Sequence, residues 1–478
     1  MGLKTKDKAA DAPSLLPTLK SVPFLRDAPP RALKAAESET RYFGLPGGWQ
    51  LFGPGEPSDQ IYFVLSGSLG AFRISANGKM ELLGHIRAGE PVGEMSMIAG
   101  EAHENAVFAL RDTELLSMSR QGFMSLVKTD PQILERLTRV IMIRMRQARK
   151  KTGRSAEPRV FGLVAASPTI DLKQRARTLS TELQGMGMRV AIVGEEAVGM
   201  PAAYFDELEM RNDIVLLLST LGDTPWFKMT QRHSDRIWLF ARADARPSKP
   251  LLPDDPSPAR QFRLVDLVLL HHGGERQVTS TAEWMDAAEA TRVFHWNQMD
   301  ENDARRLSRT MSGKSVGLVL SGGGARAYAH IGVMRALREA NCPVDFIGGA
   351  SMGAIVGAAI ACGWDDEEIH RRIYQAFVET NPLSDYRLPV VGLVKGHKVD
   401  ARLKEHFGDR LIEDLPIPFF AVSTNLTQGT FKVHTQGLLR EALRATISLP
   451  GILPPVGSGR QGLVDGAVRN NFPGDGMR

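Results

Sequence analysis

An uncharged stretch of nineteen residues, Phe346 to Trp364, constrains the fold of this chain more than any other segment. Its length would suit a membrane-spanning helix. However, it contains five glycines and a Gly-x-Ser-x-Gly motif centred on Ser351. These features favour a buried strand, a sharp turn and a helix of small residues. The stretch therefore predicts an α/β domain rather than a membrane anchor.

The serine motif has the form of a nucleophile elbow. Gly349 and Gly353 flank Ser351 and permit a strained turn that presents the hydroxyl at a helix N-terminus. Upstream, an apolar run from Ser315 to Leu320 leads into a glycine-rich loop and then a helical run. Backbone amides of such a loop can hold an oxyanion or a phosphate, although an ordinary tight turn needs the same glycines. The loop residues of interest are Gly322, Gly323, Gly324 and Arg326.

A nucleophilic serine needs a base, and Asp465 is the best candidate. It ends an apolar, strand-like run and precedes a glycine, although an Asp-Gly pair can also simply form a turn. A Ser-His-Asp triad is the alternative. His330 follows the glycine loop with the spacing of a packing or helix-dipole residue, while His271 and His272 lie outside this segment.

The motifs GGGAR, GASMG and DGA, in that order, resemble those of the patatin-like phospholipases. The runs LVLSGGGARAYAHIGVMRAL and VDFIGGASMGAIVGA resemble the branch related to neuropathy target esterase. The resemblance implies a serine hydrolase of phospholipid or lysophospholipid esters that needs no cofactor. It implies that Ser351 forms the acyl-enzyme, that Asp465 takes its proton, and that Gly322, Gly323 and Gly324 bind the oxyanion beside the basic Arg326. No metal site is predicted, since no His-x-x-x-His or carboxylate cluster accompanies the serine.

Two features depart from the family pattern. Ala327 stands where the pattern usually has glycine, and its methyl group could crowd the turn. The chain ends 13 residues after Asp465, where the family would continue into another strand and helix. A missing strand would expose a sheet edge. A catalytically impaired scaffold, or pseudo-hydrolase with a regulatory β-roll, is therefore the alternative function.

The N-terminal part has short β-like runs separated by glycines and polar turns, which predict a β-roll. The run Ala88 to Val107 resembles the phosphate-binding cassette of cyclic nucleotide-binding domains, with Gly93 and Glu94 at the ribose-contacting positions. His103 stands where that family has the arginine that pairs with the phosphate, and Glu104 adds a negative charge. We therefore expect a degenerate pocket and no cyclic nucleotide. A cyclic-nucleotide-regulated transcription protein is the rival interpretation, but no basic recognition helix follows, so no nucleic-acid partner is expected.

The chain has 478 residues, a length that predicts two to four domains. In the middle segment strand-like and helical stretches alternate, as in a parallel sheet with crossover helices. No Gly-x-x-x-x-Gly-Lys or Gly-x-Gly-x-x-Gly loop follows any of its strands. The predicted fold is multidomain α/β. Its parts are a flexible tail (1–18), a cyclic-nucleotide-binding-like β-roll (19–150), a middle Rossmann-like α/β domain (158–275) and a patatin-like α/β/α hydrolase (312–478).

Composition and charge bear on where such a protein works. Only two cysteines occur and the N-terminus lacks the apolar core of a secretory signal, so we expect a cytoplasmic protein. The net charge of +5 is modest. Basic residues nevertheless cluster after the β-roll, and they fit either peripheral contact with the inner face of a membrane or a solvated helix end. They are Arg144, Arg146, Arg149, Lys150, Lys151 and Arg154.

Overall fold

The computed structural model describes residues 14–74, 80–149, 158–200, 202–248, 251, 264–273, 279–388 and 392–477. The described residues form two compact units. One takes its residues from 1–176, 184–238 and 252–265, and the other from 177–183, 239–251 and 266–478.

The first unit begins with a β-roll of two four-stranded antiparallel sheets, with strand orders β1-β8-β3-β6 and β2-β7-β4-β5. The strands are β1 (Thr40–Leu45), β2 (Gln50–Phe52), β3 (Gln60–Ser66), β4 (Ser68–Ile74), β5 (Met80–Arg87), β6 (Pro91–Val92), β7 (Ala106–Ala109) and β8 (Thr113–Ser119). The helices are α1 (Leu16–Ser21), α2 (Pro30–Glu37), α3 (Glu94–Ala99), α4 (Arg120–Thr129) and α5 (Gln132–Arg149). Apolar side chains such as Val64, Leu69 and Leu115 are fully buried between the strands, which explains why these short segments hold together as a roll.

Parallel strands and crossover helices follow the roll, as the alternating pattern predicts. In the first unit, β10, β11 and β9 are parallel neighbours, and β12 adjoins β9. In the second unit, β13 and β14 are parallel neighbours, and the last residues of β12 adjoin β13. The elements are β9 (Val160–Ala165), α6 (Leu172–Gly185), β10 (Val190–Val193), α7 (Ala202–Arg211), β11 (Ile214–Thr220), α8 (Pro225–His233), β12 (Arg236–Arg242), β13 (Val265–His271), α9 (Thr281–Ala288), β14 (Arg292–Asn297) and α10 (Glu301–Met311). All six residues of β9 are buried, the mark of a strand covered on both faces.

The second unit ends in a mixed sheet of order β15-β16-β17-β20-β19, with β18 also paired to β17. Its first three strands are parallel, whereas β20 runs antiparallel to β17. The elements are β15 (Gly317–Leu320), α11 (Ala329–Glu339), β16 (Phe346–Ala350), α12 (Met352–Ala361), α13 (Asp366–Ile373), α14 (His397–Phe407), β17 (Phe419–Asn425), β18 (Thr430–His434), α15 (Leu439–Thr446), β19 (Val456–Ser458) and β20 (Gln461–Asp465). Every residue of α12 from Gly353 to Ala361 is buried, so the small side chains let this helix pack closely into the core.

A buried ion pair fixes the start of the strand that leads to the serine motif. Asp345 is fully buried and accepts hydrogen bonds from both Nε and Nη2 of Arg309 on α10, at 2.9 and 2.6 Å. It also accepts one from the backbone N–H of Val316 at 3.0 Å. Moving Asp345 away from these donors would leave an uncompensated buried charge. The pair therefore holds the start of β16 in place.

Most predicted elements are confirmed: the β-roll, the middle parallel strands, and the strand, turn and helix around Ser351. Strand β14 lies outside all the domains predicted from the sequence. Among the described residues no helix is long and apolar enough to cross a membrane. The side chains of the basic cluster after the β-roll lie outside the described part of the structure.

Candidate active site

Ser351 occupies a strained turn between β16 and α12. Its φ of 53° and ψ of −133° are unusual for a residue with a side chain, and such strain persists only where surrounding contacts enforce it. The turn also presses against the preceding loop. A Cβ atom on Gly353 would lie 2.4 Å from the carbonyl oxygens of Leu320 and Ser321, so only glycine fits there. The geometry is that of the predicted nucleophile elbow.

Asp465 meets Ser351 at the end of β20. The hydroxyl Oγ of Ser351 donates a hydrogen bond of 2.7 Å to Oδ2 of Asp465. The other carboxylate oxygen, Oδ1, accepts from the backbone N–H of Ala467 at 2.8 Å. Both side chains are buried, with Ser351 8% and Asp465 2% exposed. The structure therefore brings together the two residues predicted as nucleophile and base.

The surroundings of Asp465 tune its basicity. Burial raises the pKa of its carboxyl above the ordinary range of an aspartate, and the hydrogen bonds from Ala467 and Ser351 act in the opposite direction. A raised pKa makes the carboxylate a better proton acceptor than a solvated one. The pair can thus transfer the serine proton to the carboxylate as the oxygen attacks an electrophile.

Two threonines and one serine hold the pair from the backbone side, and sequence reasoning missed all three. Thr446, at the end of α15, accepts a hydrogen bond from the N–H of Ser351 at 2.9 Å through its Oγ1. Thr424 donates from Oγ1 to the carbonyl of Asp465 at 3.0 Å, and the carbonyl of Ser448 accepts from the N–H of Asp465 at 2.9 Å. No motif or spacing rule marks these three residues in the sequence.

The glycine-rich loop lies directly beside the nucleophile, since a Cβ atom on Gly322 would be 2.8 Å from that of Ser351. The N–H of Gly322 donates to the carbonyl of Asn471 at 3.3 Å. Within the described residues the N–H groups of Gly323 and Gly324 have no acceptor. The side chain of Arg326 is exposed, while its N–H donates to the carbonyl of Gly323 at 3.2 Å. The loop therefore offers two amides for an anion, and Asn471, which sequence reasoning missed, anchors the third.

The methyl group of Ala327 fits the turn. The residue is 2% exposed and lies in a 3-10 turn, Gly324–Tyr328. It is not among the residues with positive φ, so nothing in its backbone conformation requires glycine.

Histidines take no part in the Ser351–Asp465 pair in the described structure. His330 contacts the carbonyl of Ser321 at 3.0 Å through Nε2, and His271 hydrogen-bonds His295 at 2.9 Å. His434 hydrogen-bonds the hydroxyl of Ser423 at 2.7 Å. None of them hydrogen-bonds Ser351 or Asp465, and the described ranges contain no group of three potential metal ligands.

The structure also gathers the predicted pocket residues of the β-roll. Gly93 adopts a left-handed conformation before α3, and a Cβ atom on it would lie 3.6 Å from Cε1 of His103. Glu94 is 2% exposed. The His103 ring stacks on Phe52 with centroids 3.7 Å apart, and burial lowers the pKa of the imidazole, opposed by Glu56. His103 is thus a buried ring, stacked on an aromatic side chain, whose neutral form is favoured.

Comparison with known proteins gives two family matches. Residues 318–477 match the patatin-like phospholipases, and residues 45–130 match the cyclic nucleotide-binding domain.

Individual relatives match over nearly the whole chain. An uncharacterized NTE family protein of Mycobacterium tuberculosis is 32% identical over 482 residues, which cover 96% of this chain and 77% of that protein. The patatin-like phospholipase domain-containing protein 7 of Rattus norvegicus is 28% identical, with 90% of this chain and 37% of that protein covered. Lysophospholipase NTE1 of Phaeosphaeria nodorum is 26% identical, with 93% and 35% covered.

Proposed function

The chain belongs to the NTE family of patatin-like phospholipases, and we propose that it hydrolyses carboxylic esters of phospholipids or lysophospholipids through a Ser351–Asp465 dyad. The observation that carries this proposal is the 2.7 Å hydrogen bond from Ser351 to a buried carboxylate at a strained elbow. The names of two relatives, a lysophospholipase and a patatin-like phospholipase domain-containing protein, support the substrate class.

The first half-reaction forms an acyl-enzyme. Oγ of Ser351 attacks the ester carbonyl carbon while Asp465 takes the hydroxyl proton. A carbon–oxygen bond forms, and the carbonyl electrons move onto its oxygen. When that tetrahedral intermediate collapses, the bond to the alcohol breaks, and the alcohol leaves with the proton held by Asp465. Water then repeats the sequence on the acyl-enzyme, with Asp465 again as base, and releases the fatty acid.

The glycine-rich loop supplies the oxyanion hole in this proposal. The N–H groups of Gly323 and Gly324 would donate to the oxyanion, because they have no other acceptor within the described residues. Gly322 acts instead through its contacts with Asn471, which hold the loop against Ser351. The exposed guanidinium of Arg326 would face the phosphate of the lipid.

We assign the β-roll a role other than cyclic nucleotide binding. A bidentate arginine is the usual source of affinity for the cyclic phosphate, whereas His103 here is buried, neutral and stacked on Phe52. Glu104 next to it is exposed and negatively charged. Neither His103 nor Glu104 therefore supplies a positive charge for a phosphate.

Covalent labelling and hydrolysis test the dyad together. Ser351 of the wild-type protein should react with a fluorophosphonate probe, and Ser351→Ala should abolish labelling. Ser351→Ala and Asp465→Asn should each lower kcat for a lysophospholipid by about 1000-fold or more. Asp465→Asn keeps an acceptor for the N–H of Ala467, so the fold should survive, as circular dichroism and thermal unfolding can verify.

Ser308→Ala is the matched control. Ser308 is also fully buried in the second unit, and its hydroxyl has no hydrogen-bond partner in the described structure. Labelling and kcat of this variant should equal those of the wild type. A wild-type protein that neither reacts with the probe nor hydrolyses any lysophospholipid would instead be the scaffold of the alternative interpretation.

A further inference from the structure

Several large apolar side chains are exposed on chain segments that are linked by hydrogen bonds to the dyad residues, to the glycine loop or to one another. We name six of them the apolar rim; all belong to the second compact unit. They are Leu388 (84% exposed), Tyr386 (72%), Phe472 (63%), Val468 (52%), Leu393 (48%) and Leu449 (44%). Exposed apolar groups are ordinary when scattered singly, but a contiguous set marks an interaction surface.

Three rim residues are tied to the catalytic machinery through the backbone. Leu449 follows Ser448, whose carbonyl accepts the N–H of Asp465. Val468 ends the short turn that Asp465 opens. Phe472 follows Asn471, which is hydrogen-bonded to Gly322 of the glycine loop. Their positions are therefore fixed relative to the dyad.

The other three rim residues lie on two chain segments that pair with each other. Tyr386 forms an antiparallel bridge with Val394, and the N–H of Arg387 donates to the carbonyl of Leu393 at 3.0 Å. The N–H of Leu393 in turn donates to the carbonyl of Gly451 at 3.0 Å. Because Gly451 is two residues from Leu449, these hydrogen bonds join the two halves of the rim.

Three exposed cationic side chains lie close to the rim in sequence or in the glycine loop. Arg326, Arg469 and Lys395 are exposed, and none forms a side-chain ion pair within the described residues. Each stands within three residues of a rim position or in the glycine loop. Apolar and aromatic side chains with flanking cations suit the boundary between headgroups and acyl chains of an anionic lipid layer.

We infer that the apolar rim docks on a lipid surface that carries anionic headgroups, so that the ester enters the dyad directly from that surface. The inference rests on the proposed lipid-ester hydrolysis and adds the surface by which the substrate is reached. Attraction should combine burial of the rim with the charges of Arg326, Arg469 and Lys395. The second half of the rim, centred on Leu388, should contribute to docking without touching the reacting atoms.

Cosedimentation with vesicles tests docking apart from catalysis when it is done in a Ser351→Ala background. Vesicles of equimolar phosphatidylcholine and phosphatidylglycerol should bind this protein. Adding either Leu388→Asp or Tyr386→Asp to it should lower the bound fraction about fivefold or more. Met210→Asp is the matched control, since Met210 on α7 is 76% exposed and outside the rim. It should leave binding unchanged.

Kinetics of the active protein provide the second readout. In Leu388→Asp, hydrolysis of a soluble short-chain ester should stay within about twofold of wild type, while hydrolysis of vesicle-borne lysophospholipid falls about fivefold or more. A protein without any esterase activity refutes the proposed function but leaves the vesicle experiment valid. The docking inference is overturned if Leu388→Asp binds vesicles like Met210→Asp. It is also overturned if the wild type ignores vesicles and self-associates through a contact that Leu388→Asp abolishes.

Discussion

Replacing Thr446 by valine should slow the enzyme without a change in substrate affinity. Thr446 is fully buried, accepts the N–H of Ser351 at 2.9 Å and donates to the carbonyl of Val422. Valine has nearly the same shape, so the substitution creates no cavity but leaves that N–H and that carbonyl without their partner. Thr446 is a positioning residue, because it acts through the backbone of the nucleophile.

The size of the effect follows from the lost hydrogen bond. A buried donor left without an acceptor costs about 1–3 kcal/mol. The strained Ser351 backbone can then shift away from its reactive position. If the whole cost is added to the activation barrier, kcat falls about 5- to 150-fold. KM should change little, since Thr446 holds the nucleophile from the backbone side. The assay is steady-state hydrolysis of a soluble ester, combined with chemical denaturation to divide the cost between stability and rate.

Two further variants make the Thr446 result specific. Thr446→Ser keeps the hydroxyl and should restore most of kcat. Thr230→Val removes an equally buried hydroxyl that has no hydrogen-bond partner in the described structure, so kcat and stability should stay at wild-type values. If Thr446→Val retains kcat within about twofold of wild type and unfolds at the same denaturant concentration, the positioning argument is wrong.

Two more predictions concern pH and the β-roll. Burial raises the pKa of Asp465, and only the ionised carboxylate can accept the serine proton. The kcat/KM for a soluble ester should therefore be lost as pH falls through a value above the ordinary aspartate pKa of about 3.9, and a profile flat to about pH 4 would contradict this. Cyclic AMP should neither bind at micromolar concentration nor change kcat, because His103 is neutral and stacked on Phe52; saturable heat in a calorimetric titration would show otherwise.

The sequence allowed prediction of those parts of the site that are formed by residues close together in the chain. The strand before Ser351, the small helix after it and the glycine loop each follow from local patterns, and all are confirmed as elements. The family resemblance is confirmed as well. The roles of Ser351, Asp465 and the oxyanion loop stay predictions, which the observed geometry makes testable at the level of single atoms.

Residues joined across long stretches of chain escaped prediction for a physical reason. Thr446 is 95 positions from Ser351, and Asn471 is 149 from Gly322. A hydroxyl or an amide has no periodicity that reveals its distant partner, so only the folded chain shows the contact. Strand β14 was missed because its polar residues look solvent-exposed, yet His295 and Asn297 are buried and His295 pairs with His271.

Burial has two opposing effects on this dyad, and a lipid layer bound to the apolar rim would increase both. Removing water strengthens the hydrogen bond between Ser351 and Asp465 and the donation from the glycine loop to an oxyanion. The same removal disfavours the charged carboxylate. The N–H of Ala467, held 2.8 Å from Oδ1, opposes that penalty with a donor that a lipid surface cannot displace. A lipid layer closing over Phe472 and Val468 would therefore make the reaction site drier, while the hydrogen bond from Ala467 to the base is retained.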